Sequence, residues 1–174
     1  MTLFTIRAEE SGDEAAIRLV NEQAFGQPTE AQIVDCLRQT CPELRSLVAL
    51  VDGQIIGHLL LTPAVIEQEG RSVMTGMGLA PLAVLPTFQR QGVGTQLVRH
   101  GLESVQQAGC PFVIVLGHPA YYGRFGFVPA SRYGVVCEYP DVPDEAFMLL
   151  AFDPSTMTGM AGVAKYRPEF ATAV

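Results

Sequence analysis

The sequence predicts one mixed α/β layer domain. Three observations lead there. Short apolar runs such as "LVALV" and "FVIVL" alternate with segments of helical period. An Asp52-Gly53 pair sits between two β-branched runs, the signal of a tight hairpin. The chain has 174 residues, near the roughly 150 of a single domain, and 48% of them are hydrophobic, enough for a sizeable core. The expected organisation is a single domain over residues 1–174.

"LFTIRAEE" alternates apolar and polar residues and reads as the first strand. "SGDEAAIRLVNEQAF" follows as a helix, with Ser11 or Asp13 as N-cap and Ala16, Ile17, Val20 and Phe25 on its inner face. Pro28 and Thr29 open a second helix in which Ile33, Cys36 and Leu37 form the stripe. "SLVALVDGQIIGHLLLTPAVIEQEG" is the hairpin. "VMTGMGLAPLAVLP" is a further strand carrying Pro81, which cannot donate to a ladder and so belongs at an edge, a bulge or a place where strands part. From Val93 the period becomes helical: Val93, Leu97, Val98, Leu102 and Val105 share a face, and Gly109 fits the C′ position. "PFVIVLG" is a strand covered on both faces. "HPAYYGRFGF" is one short turn, and "YGVVCEY", "AFMLLAF" and "GVAKY" supply the late strands.

Composition excludes several classes. The formal net charge of -7 argues against a non-specific nucleic-acid binder. No apolar run approaches the roughly 20 residues of a membrane span. The N-terminus lacks a basic start followed by an apolar region, so a cytoplasmic protein is expected. Cys36, Cys41, Cys110 and Cys137 form no CxxC pair or zinc-like spacing; reduced, mostly buried thiols and no metal are expected. The charge is unevenly spread. Between Gly70 and Cys137, Glu103 is the single acid against Arg71, Arg90, Arg99, Arg124 and Arg132. Buried strands carry few charges of either sign, yet they do not account for the arginines.

Inside that positive window lies "LPTFQRQGVGTQLVRHGL", Leu85 to Leu102. A helix N-terminus leaves four backbone N–H groups without helical partners, and the macrodipole adds about half a positive charge. Gly92 and Gly94 let this backbone approach a ligand and adopt positive φ. Gln89 and Arg90 add side-chain donors, and no acid occupies the helix's first turn. A strand, this turn and this helix make an anion site. The better-known phosphate loops fit worse: GxGxxG needs glycine where Leu97 stands, and a P-loop needs a lysine, whereas Lys165 is the only one in the chain.

The stretch "QRQGVG", Gln89 to Gly94, matches the Q/R-x-x-G-x-G/A signature of the GNAT superfamily of N-acetyltransferases. "LAPLAVLPTFQRQGVGTQLV" resembles that family's strand, loop and helix, and "YYGRFGF" is similar to its aromatic turn. The likeness runs closely from about Leu47 to Val128 and is nearest to a bacterial branch of predicted acetyltransferases. It implies a central mixed, mostly antiparallel twisted sheet flanked by helices, with strands parting at an acetyl-CoA site. It also implies that Leu82, Ala83, Val84, Gln89, Arg90, Gln91, Gly92, Val93, Gly94, Thr95, Tyr122 and Phe125 hold the coenzyme, acetyl-CoA being the co-substrate. Acetyl transfer needs a stabilised carbonyl oxygen and a protonated leaving thiolate. The Val84 N–H, with Ala83 next, is the expected carbonyl donor, and Tyr122 the expected acid. Tyr121 and Tyr122 also suit aromatic core packing with Phe125 and Phe127. Many relatives carry an asparagine before this turn where this chain has "GHPA"; either His118 replaces its hydrogen bond or the turn is shorter.

The general base is open among Glu22, Glu30, His58, Glu67, Glu69 and a water chain, with His58 reading as a satisfied strand histidine. The implied activity is transfer of acetyl to a small-molecule or peptide amine in a ternary complex, without nucleic acid or membrane. An acyl-CoA sensor that transfers nothing is the alternative. The acid-rich early helices and "EYPDVPDE" loop would suit a cationic amine, and "GVAKY" offers a strand for pairing in a homodimer.

Overall fold

The computed structural model describes residues 3–173. It contains strands β1 (Thr5–Ala8), β2 (Arg45–Val51), β3 (Gln54–Gln68), β4 (Arg71–Val84), β5 (Phe112–Leu116), β6 (Val128–Pro129), β7 (Val135–Cys137), β8 (Phe147–Ala151) and β9 (Gly162–Lys165). Helices α1 (Glu14–Phe25) and α2 (Thr29–Thr40) follow β1, α3 (Val93–Gln107) follows β4, and the single-turn α4 (Pro119–Tyr122) follows β5. The strands run in the order β1-β2-β3-β4-β5-β8-β6, with β9 on β3 and β7 on β9. The β4–β5 and β7–β9 pairs are parallel; β1–β2, β2–β3, β3–β9, β5–β8 and β6–β8 are antiparallel. The sheet is therefore mixed and mostly antiparallel. By its contacts the chain divides into two compact units that share β3, β4 and α3.

The first unit comprises Met1–Thr62, Ala80–Glu103 and Pro168–Val174. Its hairpin turns at Asp52 and Gly53, both at positive φ (47° and 79°), as an Asp-Gly turn demands. The β2–β3 register shifts at Ala49/Leu50, which pair with Gly57 and Ile55; Ile56 is the extra residue of a bulge. The Ile56 carbonyl instead receives the Leu85 N–H at 2.9 Å and anchors the end of β4. Glycine makes the α3–β3 contact possible. A Cβ on Gly101 would lie 2.6 Å from Leu59, and one on Gly57 would lie 3.0 Å from Val93 and Leu97. The expected stripe Val93, Leu97, Val98, Leu102 and Val105 is buried throughout.

Several expectations are corrected here. In α1, Ile17 and Val20 are buried but Phe25 is 40% exposed, because the helix ends at it and Gly26 turns the chain left-handed. Asp13 stands at the N-cap without capping; its carboxylate binds the Arg7 guanidinium and the Glu10 N–H. In α2 the buried stripe is Ala31, Ile33, Val34 and Leu37, and Cys36 is exposed, since the face turned to the core lies one step around from the expected one. The thiols are not mostly buried: Cys41 is, while Cys110 and Cys137 are half-buried.

The second unit comprises Pro63–Leu79 and Ser104–Arg167. The "FVIVL" run becomes β5, buried on both faces between β4 and β8. Gly109 has φ 82° and closes α3 as expected. The strand β9 pairs with β3 on one side and β7 on the other, so both its edges are used within the chain. That closes the expected route to a homodimer through "GVAKY".

Candidate functional site

From Leu82 to Thr95 the chain makes one continuous strand, turn and helix inside the first unit. Successive backbone groups of a strand point to opposite sides. Leu85 donates to Ile56 of β3, so the N–H and C=O of Val84 point away from β3, as do those of Leu82. Ala83 faces the other way, toward β3. Its carbonyl lies 3.4 Å from the Cβ position of Gly57. Of the two expected carbonyl donors, Val84 thus faces away from β3 and Ala83 toward it.

The turn itself is a 3-10 helix over Pro86–Phe88, an extended Gln89 and then Arg90 at φ 60°. Gly92 follows at φ 87°, with nothing within 4 Å of where a Cβ would stand. Gly94 does not share this conformation: it lies in the first turn of α3 and is not among the positive-φ glycines. The second left-handed residue is Arg90, an uncommon conformation for a non-glycine. At the start of α3 the Gln96 N–H reaches the Gly92 carbonyl at 3.0 Å. A helix leaves its first amides without helical acceptors, and those of Val93 and Gly94 open this one. No acidic residue stands in this first turn. The Val93 side chain is buried in the core, so the turn presents its backbone alone.

The glutamines are used differently from expectation. Gln89 Nε2 donates to the Val84 carbonyl at 3.0 Å, and Gln91 Nε2 to the Thr87 carbonyl at 2.9 Å. Both side chains brace the turn from within.

Tyr122 and Phe125 belong to the second unit. His118 caps α4: its Nδ1 accepts the Ala120 N–H at 3.2 Å, which is the hydrogen bond an asparagine would make there. Tyr122 ends α4, its ring packed edge-on to Tyr121 (4.9 Å) and Phe127 (5.7 Å) and over Gly117, where a Cβ would lie 2.3 Å from the ring. Burial, then the neighbouring Tyr121, pushes the Tyr122 phenol well above its ordinary value, so it keeps its proton. Phe125 lies in the next turn, 5.6 Å from Tyr121, and the Arg124 guanidinium covers both rings.

Most candidate bases are engaged elsewhere. Glu22 pairs with Arg18 at 2.9 Å, Glu67 with Lys165 at 2.7 Å, and Glu30 accepts from Gln27. Glu69 stands at φ 50° in the exposed β3–β4 turn. His58 is fully buried, with Nδ1 3.0 Å from Asn21 Nδ2 and Nε2 2.9 Å from Ser46 Oγ. Burial, with Arg38 adding, pushes its pKa down to about 3, so the ring is neutral at ordinary pH with both nitrogens held by protein partners. The early helices and the segment before them are less acidic in effect than in sequence, since Glu9 and Asp35 bind Arg38 and Asp35 also binds Arg18.

One residue the sequence did not single out is Tyr166, just past β9. Its buried hydroxyl lies 3.4 Å from the carbonyls of both Leu79 and Ile114, where the parallel β4–β5 ladder reaches its Leu79↔Val115 rung. Its ring fills the place of a side chain on Gly78. Among the described residues there is no cluster of potential metal ligands, and no helix long and apolar enough to cross a membrane.

Residues 5–130 match the family model described as an acetyltransferase (GNAT) domain. The chain is 39% identical to the uncharacterised N-acetyltransferase YjhQ of Escherichia coli strain K12 over 90% of each chain. It is 33% identical to the uncharacterised N-acetyltransferase YhbS of the same strain, covering 95% of this chain and 97% of YhbS. A crystal structure of Escherichia coli YhbS in complex with CoA superposes with a TM-score of 0.88 at 32% identity, covering 98% of this chain and 93% of the other. A GNAT acetyltransferase from Brucella melitensis in complex with acetyl-CoA gives 0.78 at 34% identity, covering 98% and 99%. With a matching domain model over most of its length, relatives at this identity and an open mixed sheet of the same architecture, the chain belongs to the GNAT family of acetyltransferases.

Proposed function

We propose that this protein transfers the acetyl group of acetyl-CoA to a primary amine of a small molecule or peptide, by direct attack in a ternary complex. The observation that carries the reading is the start of α3: amides without helical acceptors, no acid in the first turn, and open space over Gly92. Such a terminus suits a pyrophosphate, and the similar YhbS and Brucella proteins were crystallised with CoA and acetyl-CoA.

In this mechanism the amides of Gly92, Val93 and Gly94 hold the pyrophosphate, with Thr95 beside them and the exposed Arg90 adding charge. The Val84 N–H, directed away from β3, donates to the thioester carbonyl as its oxygen gains charge. The amine nitrogen forms a bond to the acyl carbon, the C–S bond breaks, and Tyr122 gives its phenolic proton to the sulfur. The amine's proton leaves through water, since Glu22, Glu67 and His58 are committed to internal partners. Tyr122 then recovers a proton from solvent.

That same commitment of the bases favours a second reading, an acyl-CoA sensor that binds without transfer. Two measurements separate these. Calorimetric titration should give CoA and acetyl-CoA tighter binding than NAD or ATP; absence of CoA binding would end both readings. Thiol release from acetyl-CoA across a panel of polyamines, aminoglycosides and lysyl peptides should find an acceptor; CoA binding without release by any amine supports the sensor.

A further inference from the structure

We infer that Gln89 is a positioning residue for acyl activation, acting through the Val84 peptide and not through the phosphates. The inference rests on the acetyl-transfer reading above. The peptide joining Val84 to Leu85 is held at both ends. Its N–H reaches Ile56 on β3 at 2.9 Å, and its C=O receives Gln89 Nε2 at 3.0 Å. In an extended residue the N–H and C=O lie on the same side. The oxygen of a thioester that accepts from the Val84 N–H therefore develops its charge beside the Val84 carbonyl, itself the negative end of a dipole. A side-chain N–H on that carbonyl offsets the repulsion and fixes ψ of Val84, so that the donor keeps its direction. Gln89 reaches that carbonyl because the 3-10 turn over Pro86–Phe88 brings its extended backbone back toward β4.

The geometry also says what Gln89 does not do. Its amide is directed into the turn, toward the strand, while the anion-facing groups are the backbone amides that begin at Gly92. Loss of Gln89 should therefore affect the acyl group and spare the coenzyme's phosphates. Conversely, Arg90, next in the chain but exposed, should affect phosphates and spare the acyl group.

The test uses 15N-labelled full-length protein titrated with CoA and, separately, acetyl-CoA, in the wild type, Gln89→Ala and Gln89→Arg. In the wild type, both ligands should move the Gly92 and Gly94 amides, and acetyl-CoA should add a downfield increment at Val84 that CoA lacks. Gln89→Ala should lose most of that increment while the CoA dissociation constant changes less than about threefold. Gln89→Arg, which keeps an N–H donor, should restore it. With the best amine of the panel, kcat at saturating acetyl-CoA should fall about tenfold in Gln89→Ala, the worth of one hydrogen bond, with KM for acetyl-CoA nearly unchanged. An unaltered Val84 increment in Gln89→Ala, or a tenfold loss of CoA affinity, overturns the inference while leaving the family reaction intact. Wild-type protein in which neither ligand moves Gly92, Gly94 or Val84 overturns the acetyl-transfer reading and the inference with it.

Discussion

Lowering the pH should destabilise this protein through His58, and the size of the effect follows from the residue's surroundings. Asn21 Nδ2 donates to the Ile17 carbonyl at 2.9 Å, which fixes the amide's orientation. The same nitrogen meets His58 Nδ1, so Nδ1 is the acceptor and Nε2 carries the hydrogen toward Ser46 Oγ. A second proton on Nδ1 would set two donors against each other in a fully buried site near Arg38. The folded state therefore holds off that proton until about pH 3, whereas the unfolded chain takes it up near pH 6.5. Between those values the unfolded state binds more protons, so stability rises with pH and is lost on acidification. The slope approaches about 1.4 kcal/mol per pH unit below pH 6, and descent from pH 6.5 to 4.5 should remove about 2 kcal/mol. Urea denaturation at half-unit steps from pH 7.5 to 4.5 would measure it in the wild type and in His58→Gln. The variant should be less stable at pH 7, with about 1–3 kcal/mol lost to imperfect hydrogen bonding, and should lack this share of the slope. Other titrating groups are common to both proteins and cancel in the difference. Parallel curves would refute the assignment of His58 as a neutral buried residue and reopen it as a proton acceptor.

Four further outcomes are expected. Tyr122→Phe should lower kcat at least tenfold while calorimetry finds CoA affinity unchanged, because the ring packing on Phe127 survives and only the proton is lost. At the alkaline end, burial raises Tyr122 and Tyr166, and also Tyr139 and Cys137, so the unfolded chain loses protons near pH 9 to 10 that the folded protein retains. Stability should fall as the pH rises past 10, and Tyr166→Phe should remove about 1.4 kcal/mol per pH unit of that slope, read from urea midpoints between pH 10 and 11.5. Arg90→Gly should relieve a left-handed non-glycine, raising the melting temperature by about 2–4 °C, yet weaken CoA binding several-fold at low salt. Gly78→Ala should cost about 2–3 kcal/mol in chemical denaturation, since the new Cβ would stand 2.5 Å from the Tyr166 ring with the backbone held in the β4–β5 ladder.

What the sequence reveals of this protein divides by the range of the interaction. The inner face of α3 is legible because five apolar residues at helical spacing leave no other stripe to bury. The hairpin is legible because Asp52 and Gly53 carry their turn in their own backbone preferences. The start of α3 is legible for the same reason: glycine, a helix and missing acids are all local. In α2 the period is visible but its phase is not. Ile33 and Leu37 are compatible with a stripe through Cys36 or through Val34, and the choice depends on which face is turned toward the core. Hydrogen bonds between residues distant in sequence are less legible still. Asn21, Ser46 and His58 come from three elements, and no pattern in any one of them marks a shared buried network. Tyr166 reads as the end of an apolar strand until its hydroxyl is found on Leu79 and Ile114. Gln89 is the intermediate case. Its position in the motif is visible in one dimension, and a donor facing an anion is the natural inference from its neighbours. Only the return of the chain after Leu85 reveals that the donor faces a carbonyl instead. In this site the motif marks which residues to inspect, and the strand's hydrogen-bond alternation decides which way each of them faces.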